Sequence, residues 1–137
     1  MPRRPFCRLW NPEHARYAER ISMLLQIEER RIEPDITVIE LAGRLALGRE
    51  SQRIEVLVDD LTKRGVLKVV LDMSKVEYID SAGIGLVALA AGRLREAGGR
   101  VVVVAPEGKV LSLLHMTQMD SIVTICPTPA AAVSAFA

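Results

Sequence analysis

The sequence predicts an α/β domain: a mixed β-sheet of about five strands, opened by an antiparallel hairpin, with about four helices packed on it. Two strand-like runs, Leu24 to Arg30 and Ile36 to Ala42, flank a tight Glu33-Pro34-Asp35 turn, which is the hairpin signal. Beyond them, apolar β-branched runs alternate with stretches of helical spacing, and parallel strand neighbours joined this way need crossover helices. A length of 137 residues, half of them hydrophobic, suits one adequate core.

The elements follow in order. Gly43 to Gly48 reads as a loop, and Glu50 to Arg64 as an amphipathic helix burying Ile54, Leu57, Val58 and Leu61, stopped by Gly65. Val66 to Asp72 is almost continuously apolar, as a strand covered on both faces should be. Charged and turn-forming residues then predict a short loop as far as Ile79. From Ser81 the apolar positions Ile84, Leu86, Val87, Leu89, Ala90, Ala91 and Leu94 fall at helical spacing, and Gly98-Gly99 supplies the stop. Arg100 to Ala105 is another buried strand, Pro106-Glu107-Gly108 a turn, and Lys109 to Met116 a short helix. Ile122 to Ile125 is the last strand. A final helix, Thr128 to Phe136, is capped by Thr128 with Pro129 at its first position.

Residues 1–22 form a basic extension, with Arg3, Arg4, Arg8, Arg16 and Arg20 against Glu13 and Glu19. It reads as a solvated leader, partly disordered or helical from Pro12 to Ser22, and Met23 could be the natural start of a domain over 23–137. A leader helix carrying Trp10, Tyr17 and Ile21 would pack on its own domain or form a homodimer contact. The start lacks the long apolar core of a secretory signal, and no apolar stretch nears the roughly 18 to 20 residues of a membrane span. Cys7 and Cys126 have neither metal-ligand spacing nor a disulfide framework, which fits a reducing cytoplasm. A net charge of +1 provides no global field for nucleic acid.

Catalytic motifs are not supported. Ser81 lacks the first glycine of a hydrolase elbow, His14 lies in the leader, and His115 sits on an apolar helix where packing or an edge hydrogen bond is its ordinary role. Gly83-Ile84-Gly85 has neither Walker spacing nor a dinucleotide fingerprint, and reads sterically: small residues let a helix start approach the sheet or a partner closely. No cofactor is expected.

Leu71-Asp72 and then Ile79-Asp80-Ser81-Ala82-Gly83-Ile84-Gly85 place a serine at a helix start, facing outward beside unsatisfied backbone N–H groups. In these residues, in Ala97-Gly98-Gly99 before a valine strand, and in Val110 to Thr117, the chain resembles the STAS family over roughly residues 24 to 137. That domain is shared by bacterial anti-anti-sigma factors and the cytoplasmic tails of sulfate transporters. The resemblance implies a cytoplasmic, non-enzymatic anti-sigma factor antagonist that binds a histidine-kinase-like anti-sigma serine kinase. It also implies that Ser81 accepts phosphate from that kinase, which owns the ATP and Mg²⁺, and that a serine phosphatase reverses the step. The implied partner-binding surface comprises Asp80, Ser81, Ala82, Gly83, Ile84, Gly85, Arg44, Ala46 and Ser74. The free N–H groups of Gly83 and Ile84 would accommodate the phosphate.

Two readings stay open at Asp80, which can cap the helix or polarise Ser81 for phosphotransfer. The family often has Gly-Glu-Leu-Asp after its second strand; here the run is Gly43-Arg44-Leu45-Ala46. Arg44 is then a solvated loop residue, or it meets an acidic partner or the phosphate. The alternative function is a STAS interaction module, in a signalling scaffold or lipid-transport complex, that is never phosphorylated.

Overall fold

A computed structural model describes residues 25–46 and 49–136. Residues 1–24, and with them the expectations for Trp10, Tyr17, His14 and Cys7, lie outside the described residues. The strands are β1 (Gln26–Ile32), β2 (Ile36–Leu45), β3 (Lys68–Ile79), β4 (Arg100–Val104) and β5 (Thr124–Cys126), and the helices α1 (Arg49–Lys63), α2 (Ser81–Glu96), α3 (Lys109–Met116) and α4 (Pro129–Ser134). They form one sheet in the order β1-β2-β3-β4-β5, with β1 antiparallel to β2 and every later pair parallel. Helices α1, α2 and α3 are the crossovers between successive parallel strands, which is the mixed architecture that the alternating pattern requires.

Each face of the sheet has its own core. Ile39, Leu41, Val69, Leu71, Val101 and Val103 point to the side covered by α1, α2 and α3, where they meet Ile54, Val58, Leu61, Val87, Leu94 and Leu114. Residues one step out of phase, Ile36, Val38, Val70, Val102 and Val104, are covered from the other side by α4 through Ala132. The period-2 alternation of side chains along a strand supplies both faces from one sequence run. Gly65 and Gly98 adopt positive φ (+76° and +88°) just past α1 and α2, the left-handed conformation that ends a helix without a Cβ penalty. Thr128 caps α4 by accepting from Ala131 N–H at 3.1 Å.

Four boundaries differ from the sequence reading. The loop expected over 43–48 begins later, because β2 continues through Gly43 and Arg44 to Leu45. The loop expected after Asp72 is strand: β3 runs unbroken to Ile79 and pairs with β2 as far as Leu45 opposite Ile79. Past Asp72, β3 has no β4 partner, so its polar residues face solvent, and bulges in the β2 pairing space its buried positions at Met73, Val76 and Ile79. The first strand is shifted to Gln26–Ile32. The last is shifted to Thr124–Cys126, because Gln118 at φ 60° turns the chain into a 3₁₀ turn at Met119–Ser121.

Candidate functional site

The carboxyl ends of β2 and β3 and the start of α2 meet at one edge of the sheet, where ligands of open α/β sheets ordinarily gather. Leu45 pairs with Ile79, and its carbonyl also accepts from Asp80 N–H at 3.4 Å, so the end of β2 is tied to the first residue before α2. Asp80 has extended backbone and its carboxylate accepts from Gly83 N–H at 2.9 Å. It is therefore the N-cap, and the capping reading of this residue holds. An Asp80→Ala substitution is expected to cost about 1 kcal/mol in thermal or denaturant unfolding, the usual value of a lost cap.

Ser81 is the first residue of α2 and is exposed, and its hydroxyl makes no hydrogen bond to a described residue. The donors beside it differ from those expected. Gly83 N–H is held by the Asp80 carboxylate, and Ile84 N–H by the Asp80 carbonyl at 3.0 Å. The N–H groups of Ser81 and Ala82 have no intrahelical carbonyl to reach and no partner among the described residues, so they are the ones an anion at this helix start would find.

The two glycines divide the steric reading between them. A Cβ built on Gly83 would stand 2.1 Å from the Leu45 carbonyl oxygen and 2.8 Å from Ile79 Cγ1, so the helix start rests directly on β2 only because this position is glycine. Gly85 is exposed with open space around it. Its smallness relieves no contact with a described residue, and it keeps the surface one helical turn from Ser81 flat. Ile84 is buried and Ala82 half-buried beneath this surface.

Arg44 and Tyr78 occupy opposing positions of β2 and β3 at the same edge. The guanidinium carbon lies 4.2 Å from the centre of the Tyr78 ring, and both side chains are exposed. Arg44 is thus a strand residue held by a cation–π contact rather than a loop residue. It makes no ion pair with a described residue. Ala46 follows half-buried in a bend. Ser74 stands apart, five residues before the end of β3 and so roughly 16 Å from it by strand rise. Its N–H and hydroxyl both donate to the buried Asp72 carboxylate, at 3.0 and 2.7 Å. Tyr78 is the residue that sequence reasoning missed; an aromatic inside an otherwise polar stretch was the available signal. His115 faces Asp120 at 3.3 Å on the surface of α3.

An exposed hydroxyl at a capped helix start, on the same edge of a mixed α/β sheet as an exposed arginine, is what this domain presents. Residues 29–132 match the STAS domain family, and the chain belongs to it. A candidate anti-sigma factor antagonist of Thermotoga maritima is 34% identical over 70 residues, 51% of this chain and 62% of that protein. The chain thus spans less than two thirds of that relative's length. The candidate anti-sigma factor antagonist BtrV of Bordetella bronchiseptica is 29% identical over 86 residues, 63% of this chain and 74% of that protein. Among solved structures, that of a candidate anti-sigma factor antagonist from T. maritima superposes with a TM-score of 0.72 at 25% identity, over 79% of this chain and 92% of that one. The phosphorylated form of the Bacillus cell-fate determinant SpoIIAA superposes with a TM-score of 0.64 at 17% identity, over 82% and 100%, a likeness of fold. Among the described residues no helix is long and apolar enough to cross a membrane.

Proposed function

We propose that this chain is an anti-sigma factor antagonist that works as a phosphorylation-controlled partner switch. Unmodified, it binds an anti-sigma serine kinase of histidine-kinase-like fold and so frees a sigma factor. Phosphorylated on Ser81 by that kinase, it lets go until a serine phosphatase restores it. The kinase supplies ATP and Mg²⁺; this chain contributes the hydroxyl, whose oxygen bonds to the γ-phosphorus as the bond to the β,γ-bridging oxygen breaks and ADP leaves, its proton passing to a base, so the chain is a substrate and not an enzyme.

The observation that carries the reading is the exposed Ser81 hydroxyl in the first turn of a capped helix, within the run Ile79 to Gly85. Phosphate there adds about −1.5 to −2 charge, and the Ser81 and Ala82 N–H groups with the positive helix end can accommodate it without disturbing the core. A docked partner fares worse, because the same charge beside Asp80 has to be desolvated at a close interface. Arg44, held on Tyr78 and lacking a carboxylate among the described residues, fits a partner that offers an acidic side chain. The described relatives named as candidate anti-sigma factor antagonists support the same role.

Arg44 and Ala46, where the family often has two carboxylates, favour a second reading: a constitutive interaction module, in a signalling scaffold or lipid-transport complex, that is not phosphorylated. Incubation with the cognate kinase and Mg-ATP followed by intact mass distinguishes the two. One added phosphate, absent from Ser81→Ala, is the result expected of a switch, and an unmodified mass selects the constitutive module. Asp80→Asn keeps a capping side chain but loses the carboxylate. If Asp80 polarises Ser81 this variant melts like the parent and is phosphorylated more slowly; an unchanged rate leaves Asp80 with its cap alone.

A further inference from the structure

At the far end of the sheet, between the hairpin turn and the turn that joins α1 to β3, lies a niche of about 350 Å³ lined by Arg31, Asp35, Thr37, Arg64, Gly65 and Lys68 among others. Its floor is anomalous. Thr37 is only 3% exposed, and its hydroxyl makes no hydrogen bond with any described residue. Buried hydroxyls without a partner are rare in folded proteins, because the hydrogen bond they gave up to water is not replaced. Directly opposite Thr37 in the β1–β2 register is Arg31, which is exposed and makes no ion pair with a described residue.

The other cations of the niche are already held. Arg64 is gripped by Glu29 at 3.0 Å and Asp60 at 2.9 Å, which raises its pKa through the Glu29 hydrogen bond first, and Lys68 pairs with Asp35 at 3.1 Å. These pairs fix the walls and leave the Arg31 guanidinium and the Thr37 hydroxyl without a partner among the described residues. The carbonyl end of α1 opposes an anion here with about half an elementary charge. The Asp35 carboxylate opposes it too, but is neutralised by Lys68 at 3.1 Å; against them stands the whole charge of Arg31, and the Lys68 ammonium has further donors to offer.

We propose that this niche is a binding site for a phosphate group, gripped by Arg31 and the Thr37 hydroxyl with Lys68 at its side, and separate from Ser81. A guanidinium fork and a hydroxyl match the oxygens of a phosphate, and the volume admits the free ion or a small phosphomonoester.

The test is titration of the full-length ¹⁵N-labelled protein with inorganic phosphate and, separately, glycerol phosphate, at ionic strength held constant with chloride. Saturable shifts of the Arg31, Thr37 and Gly65 to Lys68 amides are expected. Tighter binding of glycerol phosphate would assign a phosphomonoester, and tighter binding of phosphate the free ion. Arg31→Gln, a surface change, and Thr37→Val, which keeps the branched shape, should each weaken the binding roughly tenfold or more, the loss of one charge-assisted or buried hydrogen bond. Shifts that grow linearly without saturating, that survive both substitutions, or that centre on Ser81 and Ala82 would overturn the proposal.

Discussion

A Ser81→Glu protein is expected to fold like the parent and to bind the anti-sigma kinase of the proposed switch roughly 100-fold more weakly, a penalty of about 2.7 kcal/mol in affinity. The fold is spared because Ser81 is exposed and its hydroxyl holds nothing in place. A negative side chain in the first helical turn is, if anything, favourable to the helix by a few tenths of a kcal/mol. The loss falls on the complex: like charge or desolvation at a close interface costs several kcal/mol. Ser81→Ala should bind as the parent does and remain unmodified. Melting curves paired with calorimetric titration of the kinase separate the two effects. Equal affinities for the glutamate variant and the parent would remove electrostatics as the basis of release.

Gly83→Ala carries the largest expected effect on stability. Its methyl group would meet the Leu45 carbonyl oxygen at 2.1 Å, and the colliding atom is backbone in a paired strand rather than the end of a mobile side chain. Overpacking of this kind typically costs up to about 3 kcal/mol and occasionally more. The helix propensity of alanine over glycine returns about 1 kcal/mol of it. A net loss of about 2 kcal/mol, or roughly 8 °C in melting temperature for a domain of this size, should appear in thermal unfolding. Gly85→Ala is the control. With open space around it, the same methyl should leave the domain as stable or up to about 1 kcal/mol more stable, while roughening the surface beside Ser81. If both glycines tolerated alanine equally, the close seating of α2 on β2 would be wrong.

What the sequence showed and what it hid follow from the range of the interactions involved. Helix ends were legible because their causes are local: Asp80 and Thr128 cap their own helices, and Gly65 and Gly98 stop them within a residue of where their spacing indicates. Strand interiors such as Val101 to Val104 were legible because burial on both faces selects β-branched residues. The second half of β3 was not. Beyond Asp72 it loses β4 as a neighbour, so Lys75 and Glu77 sit in solvent, and the bulged pairing with β2 replaces alternation with burial at every third residue. The same slip in register conceals the contact of Arg44 with Tyr78, which no local pattern encodes. It also moves Arg44 from a supposed loop to a strand. At the helix start, the sequence located Ser81 but assigned the open N–H groups to Gly83 and Ile84. The Asp80 side chain and carbonyl already occupy those two, leaving Ser81 and Ala82.

In the proposed switch one added phosphate changes an interface and not a fold. The measurement that reaches it most directly is the affinity of the kinase for the chain stoichiometrically phosphorylated on Ser81, compared with the same sample after phosphatase treatment, with melting temperatures recorded alongside. Binding absent before dephosphorylation and recovered after it, at an unchanged melting temperature, is the predicted result. Full-strength binding by the phosphorylated chain would contradict the account.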